Sequence, residues 1–315
     1  EVRWFAARAI GQFEHPDALK ALMQFVQQTQ EAELVAIAAE GLSQFGERGV
    51  NTLVQLLKQP AHRLTAVQAL ASIQHPSVFM PLMAVAQSAQ NDPTVRATAL
   101  IALSNFRHPQ VDSLLLKLIK EPNVAVRREA IAHLGLRPHL LEHVDLVSLL
   151  LPGLWDSCPE INQATAIALG RLGTETAVTA LAQVLSTPYT SESLQLSIIH
   201  SLGWIEREPA LETLLDLLKQ LPIMLQTEIV ETISRFQTPY LRQRAGAGLY
   251  EWLKNGDWET ATSLTPQQCQ LRAAIALALG NLQYQPAASV LRQLQATGDP
   301  QTRLYAEAAL RQLAD

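Results

Sequence analysis

The chain has 315 residues, of which 48% are apolar, 5% aromatic and 17% charged, with 24 Lys+Arg against 29 Asp+Glu. That apolar content excludes a disordered chain, and no apolar run reaches the roughly 18–20 residues that cross a bilayer. A formal net charge of −5 argues against a nucleic-acid surface, which needs concentrated Lys and Arg to displace counterions. Two cysteines, Cys158 and Cys269, are too few for a disulfide framework or a four-thiolate zinc site, so a reducing, cytoplasmic setting is expected. Opening at Glu1 inside a repeat and without methionine, the chain is expected to be part of a longer or processed product.

Self-similarity organises everything else. A five-residue phrase, a small or polar residue, then Leu or Ile, then Gly or Ser, any residue, and an apolar one, appears at Ala9–Phe13, Ala168–Leu172, Ser201–Ile205 and Ala278–Leu282. Its third residue serves as an anchor, and in chain order the anchors are Gly11, Ser43, Ala71, Ser104, Gly135, Gly170, Gly203, Ser234, Gly280 and Arg311. Eight of the nine spacings lie between 28 and 35 residues, and the ninth, from Ser234 to Gly280, is 46.

Each repeat reads as two helices. Ahead of the anchor, apolar or small residues fall nine, five, two and one positions back, as in Val95, Ala99, Ala102 and Leu103. This spacing is one buried stripe of a second helix. A first helix precedes it, as at Pro16–Met23 or Val111–Leu118, and its start is marked by Pro16, Pro76, Pro109, Pro209, Pro239 and Pro286, because proline's missing N–H costs little in a first turn. The histidines before three of these prolines, His15, His75 and His108, are punctuation rather than ligands. A small anchor lets neighbouring helices approach closely. Phe13, Phe45, Phe106 and Phe236 share the slot two after the anchor and are expected in the core. The long spacing places a loop insertion at about 254–268.

The phrase Val2–Phe13 and its echoes Val95–Leu100 and Val126–Ile131 resemble HEAT repeats, and more narrowly the short HEAT-like repeats of cyanobacterial phycobilisome lyases. The resemblance implies an all-α, right-handed α-solenoid of about ten helical pairs, spanning 1–315 as a single domain. It also implies that the arginines eight before the anchor, Arg3, Arg63, Arg96, Arg127, Arg272 and Arg303, tie adjacent repeats through charge-assisted hydrogen bonds, with turn acids such as Asp92, Glu121 and Asp299 at hand. An anion-binding stripe is the competing reading of these arginines.

Slots seven and three before the anchor and one after it share a face of the second helix, which the resemblance places on the inner, concave side. That face mixes apolar and polar residues in the manner of an interface core. Its candidate partner-binding residues are Trp4, Arg8, Arg128, Ile167, Arg171, Leu196, His200, Trp204, Glu231 and Arg235, densest around Ile167, Arg171, Leu196, His200 and Trp204. Trp204 could instead cover the next repeat.

Catalytic patterns are few. His139-Leu-Leu-Glu142-His143 matches an inverted zinc-peptidase signature, but it follows Pro138 at the start of a first helix in an array that encloses no deep cavity, so surface histidines are expected. Cys158, before a second helix, could have a lowered thiol pKa but lacks a basic neighbour in sequence, and a structural or exposed thiol is favoured. The expected function is a non-enzymatic scaffold or assembly factor that binds a partner protein, with no cofactor and no metal. The alternative, implied by the resemblance alone, is a phycobilin lyase or biliprotein chaperone whose partner is a phycobiliprotein.

Overall fold

The computed structural model describes residues 5–6, 9–10, 13, 15–29, 31–188, 190–255 and 264–314. Among them it contains eighteen α-helices and no strand. Their contacts divide the chain into unit one, Glu1–Leu134, and unit two, Gly135–Asp315.

Unit one holds α1 (Pro16–Gln28), α2 (Ala32–Gln44), α3 (Glu47–Leu56), α4 (Arg63–Ala71), α5 (Phe79–Gln87), α6 (Pro93–Leu103), α7 (Pro109–Leu118) and α8 (Val124–Leu134). Unit two holds α9 (Leu146–Leu150), α10 (Pro159–Leu172), α11 (Glu175–Leu185), α12 (Glu192–Ile205), α13 (Glu208–Leu218), α14 (Ile223–Ile233), α15 (Pro239–Asn255), α16 (Pro266–Asn281), α17 (Ala288–Thr297) and α18 (Pro300–Ala314). Odd-numbered helices are the first helices and even-numbered ones the second, so nine pairs are described. Within each unit successive second helices lie side by side: α2, α4, α6 and α8 in one, and α10, α12, α14, α16 and α18 in the other. This is an all-α solenoid architecture.

The buried stripe falls where the periodicity puts it. Val95, Ala99, Ala102 and Leu103 of α6 are all buried, as are the corresponding Ile161, Ala168 and Leu169 of α10. The anchor glycines show why small residues recur. A Cβ on Gly170 would stand 2.7 Å from Cβ and 2.9 Å from the carbonyl O of Ser201, and one on Gly280 would stand 2.5 Å from Cα of Ala309. Each contact residue lies two before the next anchor, so two small slots meet backbone to backbone. At such packing density an added methyl has nowhere to go.

Helix starts are capped in a repeating way. His15, His75 and His108 each accept a hydrogen bond at Nδ1 from the backbone N–H two residues on, in Asp17, Ser77 and Gln110, at 3.2–3.3 Å. The His-Pro pair thus combines an N-cap acceptor with a proline that lacks a donor to satisfy. Pro76 opens a short 3₁₀ turn and Pro286 sits second in another, Gln285–Ala287, rather than opening the α-helices themselves.

Three expectations need correcting. Phe13 is 65% exposed, whereas Phe236 is buried and Phe45 and Phe106 are half-buried. Phe106 is covered by Phe79 of its own pair's first helix, with ring centroids 5.5 Å apart. The insertion is also shorter than predicted. α15 runs on to Asn255 and α16 begins at Pro266 under a Thr265–Gln268 capping box, so both of its ends are helical; its centre, 256–263, lies outside the described residues. Finally, the segment Pro138–Glu142 is a 3₁₀ helix that ends before His143. At three residues per turn, His139 and His143 do not share a face.

Candidate functional site

The slot eight before the anchor is structural. Arg96 is 4% exposed, and its guanidinium grips Glu121 of the following pair's turn with two bonds, Nη1 to Oε1 at 2.9 Å and Nη2 to Oε2 at 3.1 Å. The hydrogen bond from Arg96 holds the Glu121 carboxyl below its ordinary pKa, against the opposing effect of burial. Arg127, in the same slot one repeat later, donates to the backbone carbonyl of that same Glu121. Arg63 reaches Asn91 of the next turn at 2.9 Å and the Leu57 carbonyl of its own.

In unit two Arg272 pairs with Asp299 at 2.7 Å. Burial pushes the Asp299 carboxyl up, but hydrogen bonds from Thr302 and Arg272 outweigh it and hold the group well below the usual carboxylate range. Asp299 also caps α18 through the Gln301 and Thr302 amides. Asn162 and Gln226 fill the slot by donating to the Asp156 and Leu221 carbonyls of their own turns. The anion-stripe reading therefore fails for the arginines whose bonds are described. Their partners are the turn of the next pair and the turn before their own helix.

The second-helix face is open to solvent in a graded way. One after the anchor, Gln44, Ser72, Asn105, Leu136, Arg171, Trp204, Arg235 and Asn281 are all exposed. Three before it, Ile167 and His200 are half-buried and Glu231 exposed; seven before it, Leu196 is half-buried, whereas Ala97 and Ala273 are buried. Trp204 is 59% exposed and does not serve as cover for the next repeat.

Of the predicted residues, Arg171, Trp204 and Arg235 hold the same slot at or just past the ends of α10, α12 and α14, which lie side by side, with Ile167, His200 and Glu231 one turn earlier and Leu196 a further turn back on α12. His200 Nε2 meets Glu228 Oε1 of the next second helix at 2.6 Å, a partner that sequence spacing did not reveal. Arg235 lies 3.9 Å from Glu231. Arg128 belongs to unit one, where its guanidinium turns back to Glu129 at 2.6 Å. Trp4 and Arg8 lie outside the described residues.

The chemistry sought elsewhere does not assemble. Among the described residues no group of three or more His, Cys, Asp and Glu side chains could hold a metal ion. Cys158 donates to Glu160 Oε2 at 2.7 Å, and that bond pushes its thiol pKa up; the lowered value considered from sequence is corrected, because the group beside it is an acid. No described helix is long and apolar enough to cross a membrane.

Repeated helical pairs, small-residue seams and an open second-helix face define a helical-repeat protein. A family model for HEAT repeats matches residues 1–61, 50–135, 111–192 and 147–234, and the chain belongs to the HEAT-repeat family. Importin beta is similar in structure with a TM-score of 0.62 at 12% identity, over 94% of this chain and 45% of that one. A mutant of Kap121p gives 0.59 at 15% identity, over 95% and 37%. The YibA protein of E. coli gives 0.51 at 14%, over 100% and 97%. The chain spans less than half of the importin beta and Kap121p chains. At these identities the likeness is one of fold. No curated protein sequence matches the chain.

Proposed function

We propose that this HEAT-repeat protein is a non-enzymatic scaffold, a single solenoid whose second-helix face in unit two docks a partner protein in the cytoplasm. The observation that carries this reading is the exposed row Arg171, Trp204 and Arg235 above half-buried Ile167 and Leu196. Leaving an indole in water forgoes the burial that would stabilise it, on the order of 25 cal/mol per Å² of apolar surface. A tryptophan flanked by arginines on apolar ground has the composition of an interface hot spot, where Trp and Arg dominate.

The test is affinity capture from the native organism followed by mass spectrometry, with wild type beside Trp204→Ala and Arg171→Ala. Circular dichroism should show unchanged helicity, and the captured partner should fall at least about tenfold, as hot-spot truncations of roughly 2 kcal/mol or more do. Equal capture by all three proteins would refute the assigned face. The phycobilin-lyase alternative rests on the resemblance alone. Mixing the chain with phycocyanobilin and an apo-biliprotein tests it directly, since attachment would raise visible absorption beyond the spontaneous rate.

A further inference from the structure

The docking reading leaves the chemistry of the partner open, and the charges around Trp204 narrow it. The row one after the anchor in unit two is Leu136, Arg171, Trp204, Arg235, Asn281 and Gln312, with two cations and no acid, in a chain whose net charge is −5. Two acids beside it are held by other groups, and a third, Glu231, is an exposed neighbour of Arg235 that an incoming carboxylate would have to displace. Glu228 holds His200 at 2.6 Å, Glu206 accepts from the Gln237 and Thr238 amides at 2.6 and 2.7 Å, and Glu231 faces Arg235 at 3.9 Å. Arg171 and Arg235 both extend from exposed positions at second-helix ends, where cations also complement the helix dipole.

Spacing adds a second constraint. Packed helices lie about 8–10 Å apart, and the small-residue seam between Gly170 and Ser201 keeps α10 and α12 close. A polyproline-type segment has three residues per turn and rises about 3.1 Å per residue, so one of its edges repeats every 9 Å or so. Residues i, i+3 and i+6 of such a segment would fall over Arg171, Trp204 and Arg235 in turn. A β-strand would turn i and i+3 to opposite faces.

From this geometry, and resting on the docking reading above, we propose that the partner presents an acidic extended segment: carboxylate, apolar residue and carboxylate at three-residue intervals. The two carboxylates accept from the guanidinium forks, which match them bidentately, and the apolar residue lies on the indole. A basic segment would instead set cation against cation.

Dye-labelled synthetic peptides containing EPPLPPE, KPPLPPK or the respaced PEPLPEP test this by fluorescence anisotropy on the whole chain at about 50 mM salt, where screening is weak. The expected result is that EPPLPPE binds about tenfold or more tighter than either of the others, that Arg171→Glu combined with Arg235→Glu reverses the preference between acidic and basic peptides, and that about 0.5 M salt weakens binding. Circular dichroism confirms that the double variant is folded. Peptides binding without regard to charge, but losing affinity in Trp204→Ala, would overturn the acidic-segment proposal while leaving the docking face intact. No binding of EPPLPPE up to about 1 mM overturns it too, and partner capture then decides the docking reading on its own.

Discussion

The arginines of unit one and those in the middle of unit two occupy different slots of the same repeat. In unit one, Arg63, Arg96 and Arg127 all sit eight before the anchor and reach into turns, while the row one after the anchor is the neutral Gln44, Ser72 and Asn105. In the middle of unit two, Asn162 and Gln226 fill the inward slot and bond backbone carbonyls of their own pair, while Arg171 and Arg235 stand in the outward row beside Trp204. A neutral amide satisfies carbonyls within its own pair, whereas the Arg63 guanidinium bridges its own turn and the next, and Arg96 joins its own pair to the next pair's turn. Charge turned inward ties repeats together; charge turned outward stays exposed, with Arg235 only loosely paired to Glu231 at 3.9 Å.

The inward slot offers the largest effect. Arg96→Ala leaves the half-buried Glu121 carboxylate without its two charge-assisted bonds, and should lower unfolding free energy by about 1.5–3 kcal/mol, the range for hydrogen bonds to charged groups. Gln226→Ala should cost only about 0.5–1.5 kcal/mol. Urea denaturation of both variants checks the ratio, and equal losses would remove the distinction between the slots.

The anchors sharpen the contrast next. Gly170→Ala should destabilise by about 1–3 kcal/mol, because its methyl meets the backbone of Ser201, even though alanine is the better helix former. In unit one the anchor is already Ala71, and Ala71→Gly should lose about 0.5–1 kcal/mol through helix propensity alone. Thermal melts should therefore fall for opposite substitutions in the two units.

Acid provides a smaller, graded effect. The Asp299 and Glu121 carboxyls have folded pKa values below their ordinary ones, so each supplies stability that is complete above the ordinary carboxylate range and is lost as pH falls toward the folded value. Melting temperature should drop between about pH 5 and pH 2, and Asp299→Asn should be less stable at neutral pH with a shallower acid slope. An unchanged slope would mean that the Arg272 and Thr302 bonds contribute no pH-dependent stability. The smallest effect is expected at Trp204→Ala, within about 0.5 kcal/mol of wild type; a larger loss would show that the indole is structural after all.

Much of this was legible beforehand. The described anchors, Ser43 to Arg311, fall within the last few residues of second helices or just after them, because a repeat must reproduce the same buried stripe to stack on its neighbour. The outward row was equally legible, since 3.6-residue periodicity sets which positions share a face. What escaped were the contacts made across the period. Asn91, Glu121 and Asp299 precede one arginine in sequence but bond the side chain of the arginine a repeat earlier. His200 finds Glu228 on the next helix, and three histidines turn out to be N-caps.

Sequence alone determined the repeat, its two-helix unit, its small-residue seams and the second-helix positions left open to solvent, since all of these follow from side-chain periodicity along a single helix. Only tertiary structure decided which turn each arginine reaches, that Phe13 is exposed, that Pro138–Glu142 winds as a 3₁₀ helix ending before His143, and that Trp204 stays in water. Those outcomes depend on distances between helices that are remote in sequence, and a helical pattern encodes direction but not separation.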